Sequence, residues 1–102
     1  MVQVTWGEGL RFFDCRRTGE AVEDTRGEKA TIILGGELAT VQTGIYATDL
    51  FRCTSEGKVV TCERGENDHL TFSILGLSAV RTLKDAGRPG RTLTYACVQF
   101  HQ

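Results

Sequence analysis

Cys97 and His101 stand four residues apart, so that in an extended segment their side chains share one side. A thiol beside an imidazole is the pairing of a cysteine nucleophile with its base. That chemistry also needs an oxyanion site and a group to orient the base, and no residues near either position supply them. The pair reads as a core thiol and a terminal histidine. A second cluster, Glu66, Asn67, Asp68 and His69, has the residue types of an acid–base or metal site. It sits in RGENDH, a polar break between two strand-like segments, where charge favours solvation of a turn. No other cluster completes it, so the sequence predicts no catalytic, metal or cofactor residues. Phosphate-cradling loops of the forms G-x-x-x-x-G-K-[ST] and G-x-G-x-x-G are missing, and Gly7-x-Gly9 is too short to serve.

Charge concentrates at one place. Arg81, Lys84, Arg88 and Arg91, opposed by Asp85, give a local charge of +3 (four cations less one carboxylate) in a chain whose formal charge is −1. A solvated loop explains this, as does contact with phosphates or an acidic protein surface through charge-assisted hydrogen bonds. Aromatic residues are not interleaved with these cations, which disfavours a single-strand stacking platform.

The chain has 102 residues, 40% of them hydrophobic and 25% charged, the range of one soluble domain with a modest core. No apolar run approaches the ~20 residues of a membrane helix. The start, MVQVTWGEG, has neither the charged nor the apolar region of a signal peptide, which with a native Met1 predicts a cytoplasmic chain. Cys15, Cys53, Cys62 and Cys97 then read as free, buried thiols. The alternative is two disulfides, with Cys53 and Cys62 flanking a turn at SEGK.

The elements that position these residues are mostly strands. Residues 10–25, LRFFDCRRTGEAVEDT, are the exception: Leu10, Phe13 and Ala21 suit one side of a short N-terminal helix or arm. From residue 29 the period becomes two. GEKATIILGGELATVQTGIY reads as a hairpin turning at Gly35-Gly36, both free to adopt positive φ. FRCT and KVVTCE form a second hairpin, and HLTFSIL alternates cleanly. Residues 77–91 fit a helix or a hairpin; Gly87, Pro89 and Gly90 favour the hairpin. The prediction is one mainly β domain over 1–102, with an arm or helix in 1–25 and a small antiparallel barrel or sandwich of about six strands in 29–102.

Asp24, Gly27, Ala30-Thr31-Ile32, Gly35-Gly36, Val41, Gly44-Ile45-Tyr46 and Asp49 make a first half-motif. Arg64-Gly65, Leu70-Thr71-Phe72, Gly76, Val80-Arg81, Leu83, Asp85, Gly87 and LTYACV make a second. In order and spacing these resemble the head–tail joining proteins of long-tailed bacteriophages. The likeness covers residues 24–50 and 64–98. The chain departs from the pattern at Arg26 and at Ser78 or Ala79, where the family often has aromatics, and in a shorter central segment carrying Cys53 and Cys62. The resemblance implies a virion protein without an active site, assembled in the host cytoplasm. It would form a homo-oligomeric ring between the portal or its adaptor and the tail, with DNA passing through the lumen and no membrane contact. Gly35, Gly36 and Glu37 would form a docking loop, and Arg81, Lys84, Arg88 and Arg91 would face DNA or a neighbour.

Two other readings stand beside it. One is a secreted or periplasmic, disulfide-bonded β-barrel inhibitor of a lysozyme or other toxin. Thr43-Gly44-Ile45-Tyr46 resembles the S-G-x-x-Y loop of bacterial lysozyme inhibitors and is one residue shorter. The other is a cytoplasmic phage anti-defence protein. Thiol state separates the secreted reading from the rest.

Overall fold

The computed structural model describes residues 9–18, 29–44, 47–84 and 90–100. They form eight strands: β1 (Leu10–Thr18), β2 (Lys29–Gly35), β3 (Leu38–Thr43), β4 (Ala47–Glu56), β5 (Val59–Glu63), β6 (Asp68–Ser73), β7 (Ser78–Leu83) and β8 (Arg91–Phe100). Each pairs antiparallel with its sequence neighbour, and β8 returns to β1, closing the barrel. The β-barrel class is as expected from the sequence, but the strands number eight rather than about six. One strand is added at the N-terminal end. Residues 10–18, expected as an arm or short helix, are β1, because Phe13 and Cys15 alternate inward with exposed Asp14 and Arg16. Ala21, the third member of the expected helical face, lies outside the described residues. The expected FRCT strand is the middle of a longer one, residues 47–56, which leaves the count unchanged.

Period-two patterning sorts the two faces of the wall. Inward residues include Ile32 and Leu34 on β2, Ala39 and Val41 on β3, Phe51 and Cys53 on β4, and Leu70 and Phe72 on β6. Phe13, Phe51 and Phe72 are completely buried, and the rings of Phe13 and Phe72 meet across the interior at 4.4 Å between centroids, tilted 49°. The barrel is therefore filled by its own side chains, the usual outcome for eight strands of this size.

Even-to-odd connections at one end are tight. Gly36-Glu37 and Gly57-Lys58 each join a hairpin, with φ of +65° at both glycines and no positive φ at Glu37 or Lys58. Positive φ at the first central position alone is the backbone pattern of a type II′ turn, which requires glycine there. The turn is thus one residue later than the expected Gly35-Gly36. Gly35 instead ends β2, where a Cβ would come within 2.7 Å of Leu10 Cδ2. The four-residue turn 74–77 lies at this same end, the turn end. The β3–β4, β5–β6 and β7–β8 connections lie at the other, the loop end. Residues 77–91 contain the β7 strand and the start of β8, a hairpin of the kind their glycine and proline content favours.

The cysteines correct the expectation of free thiols. Cys15 is bonded to Cys97, and Cys53 to Cys62. Both pairs lie directly opposite each other on neighbouring strands, with Cα atoms 4.0 Å apart. Cys97 N–H donates to Leu77 O (2.8 Å) and Cys53 N–H to Glu37 O (2.6 Å), each away from the disulfide partner. These are non-hydrogen-bonded pairs, the closest approach two antiparallel strands make. One bridge staples the β1–β8 seam, and the other staples β4 to β5 across the barrel.

In chain-entropy terms a bridge spanning 82 residues stabilises by about 4.5 kcal/mol and one spanning 9 by about 2.6 kcal/mol. Paired Cys→Ala replacement of Cys15 and Cys97 should therefore destabilise more than replacement of Cys53 and Cys62. Urea denaturation of the two double variants tests this; equal midpoints would show that the seam bridge adds nothing beyond its short counterpart.

Candidate functional site

At the loop end three charged residues occupy inward-facing strand positions: Asp49 on β4, Asp68 on β6 and Arg81 on β7. Arg81 Nε donates to Asp68 Oδ1 at 2.9 Å, and Nη2 donates to Asp68 Oδ2 at 2.7 Å and to Asp49 Oδ2 at 2.8 Å. Arg64, in the β5–β6 turn, adds Nε to Asp68 Oδ2 at 2.9 Å and approaches Asp49 Oδ1 at 3.7 Å. Two guanidinium groups and two carboxylates thus form a neutral cluster. Arg81 and Asp68 are each 4% exposed, whereas the Arg64 side chain is 46% exposed and covers the cluster from solvent. The Arg81 guanidinium also lies 5.1 Å from the centre of the Phe51 ring, within cation–π range.

Burial pushes the Arg81 pKa down, but the hydrogen bonds and charges of Asp68 and Asp49 more than offset it, leaving the guanidinium above its ordinary value. Arg81 therefore stays charged and its hydrogen-bonding capacity is largely spent within the barrel. It is a structural cation, not a surface contact. The expected basic surface of four residues loses this member for a physical reason: its strand parity points inward, between Ala79 and Leu83. Lys84 and Arg91 are exposed at the loop end, and Arg88 lies outside the described residues. Next to the cluster, Tyr95 is buried with a hydroxyl that has no partner among the described residues. Burial raises its pKa, while Arg81, Arg17 and Arg91 pull it partly back.

The other sequence-derived sites divide similarly. Within RGENDH, Asp68 belongs to the ion cluster, and His69 Nε2 is 3.0 Å from Glu66 O, which makes the segment a braced turn. The Lys84 N–H bond to Asn67 O (2.8 Å) ties it to the next hairpin. Cys97 is in a disulfide, and His101 lies outside the described residues. Gly36 and Glu37 are exposed at the turn end, and Gly35 is in the strand beside them.

Among the described residues, two concave surfaces stand out. The larger, about 470 Å³, lies on the outer wall of β1–β3 near the loop end, lined by Asp14, Arg16, Lys29, Thr31, Gln42 and Gly44 among others. Arg16 and Lys29 are directly opposed across β1 and β2 there. Gly44, with φ of +70°, opens the β3–β4 connection; Ile45 and Tyr46 lie outside the described residues. The smaller, about 260 Å³, is the mouth of the barrel at the turn end. No family model, curated protein or solved structure matches this chain.

Asp49, partly buried, and Arg81, buried, are inward-facing ions that no local motif marks. Strand parity carries the signal: Asp49, Phe51 and Cys53 alternate, as do Ala79, Arg81 and Leu83, so each charge lies on an otherwise apolar face. Breaking a buried pair from one side leaves an uncompensated charge and costs about 3–5 kcal/mol. Asp68→Ala should fall in that range by chemical denaturation, while Arg64→Ala, at a half-exposed position, should cost less than about 1 kcal/mol. Similar losses for the two would contradict the division into buried core and solvent-exposed cover.

Proposed function

We propose that the protein is a disulfide-stapled binding barrel of an oxidising compartment, an inhibitor of an extracellular or periplasmic enzyme. The observation that carries this reading is the pair of cross-strand disulfides, since such bridges persist in secreted and periplasmic proteins and are rare in a reducing cytoplasm. A filled interior supports the binding role: recognition has to use the outer wall and the two ends, as protein–protein contact does. Rigid walls with a short exposed connection also limit the ordering cost of association.

The contact surface in this reading is the outer groove beside Gly44. Arg16 and Lys29 stand side by side there, with Thr31 and Gln42 as uncharged hydrogen-bonding neighbours. Such a pair suits the acidic cleft of a glycoside hydrolase, whose chemistry rests on paired carboxylates. The likeness of Thr43-Gly44-Ile45-Tyr46 to a lysozyme-inhibitor loop points to lysozyme-type enzymes as the first target class.

The phage head–tail ring is the second reading. A rigid barrel wall with the exposed Gly36-Glu37 turn suits it, but its expectation of free thiols is at odds with both bridges. An anti-defence protein of the cytoplasm meets the same objection.

Oxidised protein mixed with a panel of lysozymes and other extracellular muramidases should give a one-to-one complex and loss of activity. The double variant Arg16→Glu, Lys29→Glu should weaken inhibition at least tenfold while leaving the fold intact, because each charge-assisted hydrogen bond is worth about 1.5–3 kcal/mol. Absence of inhibition across the panel, with rings forming on phage portal or tail components, would replace this reading by the second.

A further inference from the structure

The mouth at the turn end is a concavity of about 260 Å³ whose lining divides by chemistry. Leu34 and Val60, both nearly fully buried, form its floor with partly buried Ile74, and half-exposed Leu38 stands at its lip. Arg11 and Lys58 bring two cations to the same concavity, and Ser55 adds a hydroxyl. Among the described residues no carboxylate lies within ion-pair distance of either cation. Arg11 occupies an inward strand position opposite Leu34, so its stem runs along the apolar floor. Tight turns keep this end open: Gly36 and Gly57 line the mouth, and a Cβ at either would meet no atom within 4 Å.

From this juxtaposition we infer that the turn-end mouth is a binding site for a carboxylate carried on a short apolar chain. Apolar floor and cationic lip are complementary to that one chemistry. An uncharged alkyl group would leave Arg11 and Lys58 without an anion, and a bare anion would leave Leu34 and Val60 uncovered. At about 260 Å³ the mouth falls just under the ~300–1,000 Å³ of sites for drug-sized molecules, so it suits a small ligand. A medium-chain fatty acid is of that class, as is one large apolar residue ending in a free C-terminal carboxylate. Mouths of β-barrels are recurrent ligand sites. This site is at the opposite end from the groove beside Gly44, so it stands independently of the inhibitor reading.

Calorimetry and amide chemical shifts, recorded with butanoate, hexanoate, octanoate, octanol and a tripeptide ending in a free leucine carboxylate, test the assignment. Each methylene taken from water should strengthen binding about fourfold until the mouth is full. Octanol should bind at least tenfold more weakly than octanoate, and shifts should concentrate at residues 34, 36, 55, 58 and 60. Arg11→Gln and Lys58→Gln, both solvent-accessible changes, should each weaken octanoate about tenfold and leave octanol unaffected. Octanoate binding more tightly than the peptide identifies a fatty acid as the source, and the reverse identifies a polypeptide C-terminus; either upholds the site. No saturable binding by both, octanol equal to octanoate, or octanoate binding undiminished in Ser55→Phe, which fills the lip, would overturn it.

Discussion

Closure of β8 onto β1 is the constraint on which the rest of the molecule depends. An eight-stranded meander of this length has two edges unless the last strand finds the first, and open edges invite pairing with other chains. Here the seam is a seven-residue register from Phe12↔Phe100 to Thr18↔Thr94. It joins segments roughly eighty residues apart, so its loop-closure entropy is the largest of any pairing in the fold. Cys15–Cys97 lies in the middle of this register, where the cross-link removes that entropy from the unfolded chain. On the outer face, Phe12 packs against Phe100 at 5.7 Å between ring centroids and reinforces the same seam.

Closure determines what the interior can do. Inward side chains from eight walls converge on one axis, and three phenylalanines with two disulfides fill it. Among the described residues this leaves no internal chamber of the kind a carrier barrel holds, and recognition moves to the wall and the ends. The ends differ because the connections differ. Two-residue glycine turns leave one end short and open, with apolar floor and cationic lip. At the other, Arg81, Asp68 and Asp49 close the interior with a neutral ion cluster under Arg64. A buried cluster of this kind adds little net stability over an apolar plug, but it fixes the relative register of β4, β6 and β7 because only one alignment satisfies all four groups.

The same parity argument explains how the basic stretch 81–91 divides. Its cations look equivalent as a run of charge. In the barrel Arg81 faces the axis and is consumed by two carboxylates from other strands, whereas Lys84 and Arg91 lie at the surface. A local charge of +3 read along the chain is therefore not a patch of +3 in space.

Period-two alternation and glycine-bounded turns are enough to determine a small antiparallel β domain and its hairpins at 29–43 and 51–63, and they favour a hairpin over a helix from residue 77 on. They are enough because strand pattern and turn chemistry are local properties. Three features are settled only by tertiary structure. Residues 10–18 have a pattern short enough to suit a helix face, and they become a strand because β2 and β8 both offer them an edge. Cysteine pairing depends on which strands adjoin, and Cys15 meets Cys97 only once the barrel closes. The partners of Arg81 come from β4 and β6, 32 and 13 residues away, and no local spacing links them. Closure brings these together, and it is a property of the whole chain.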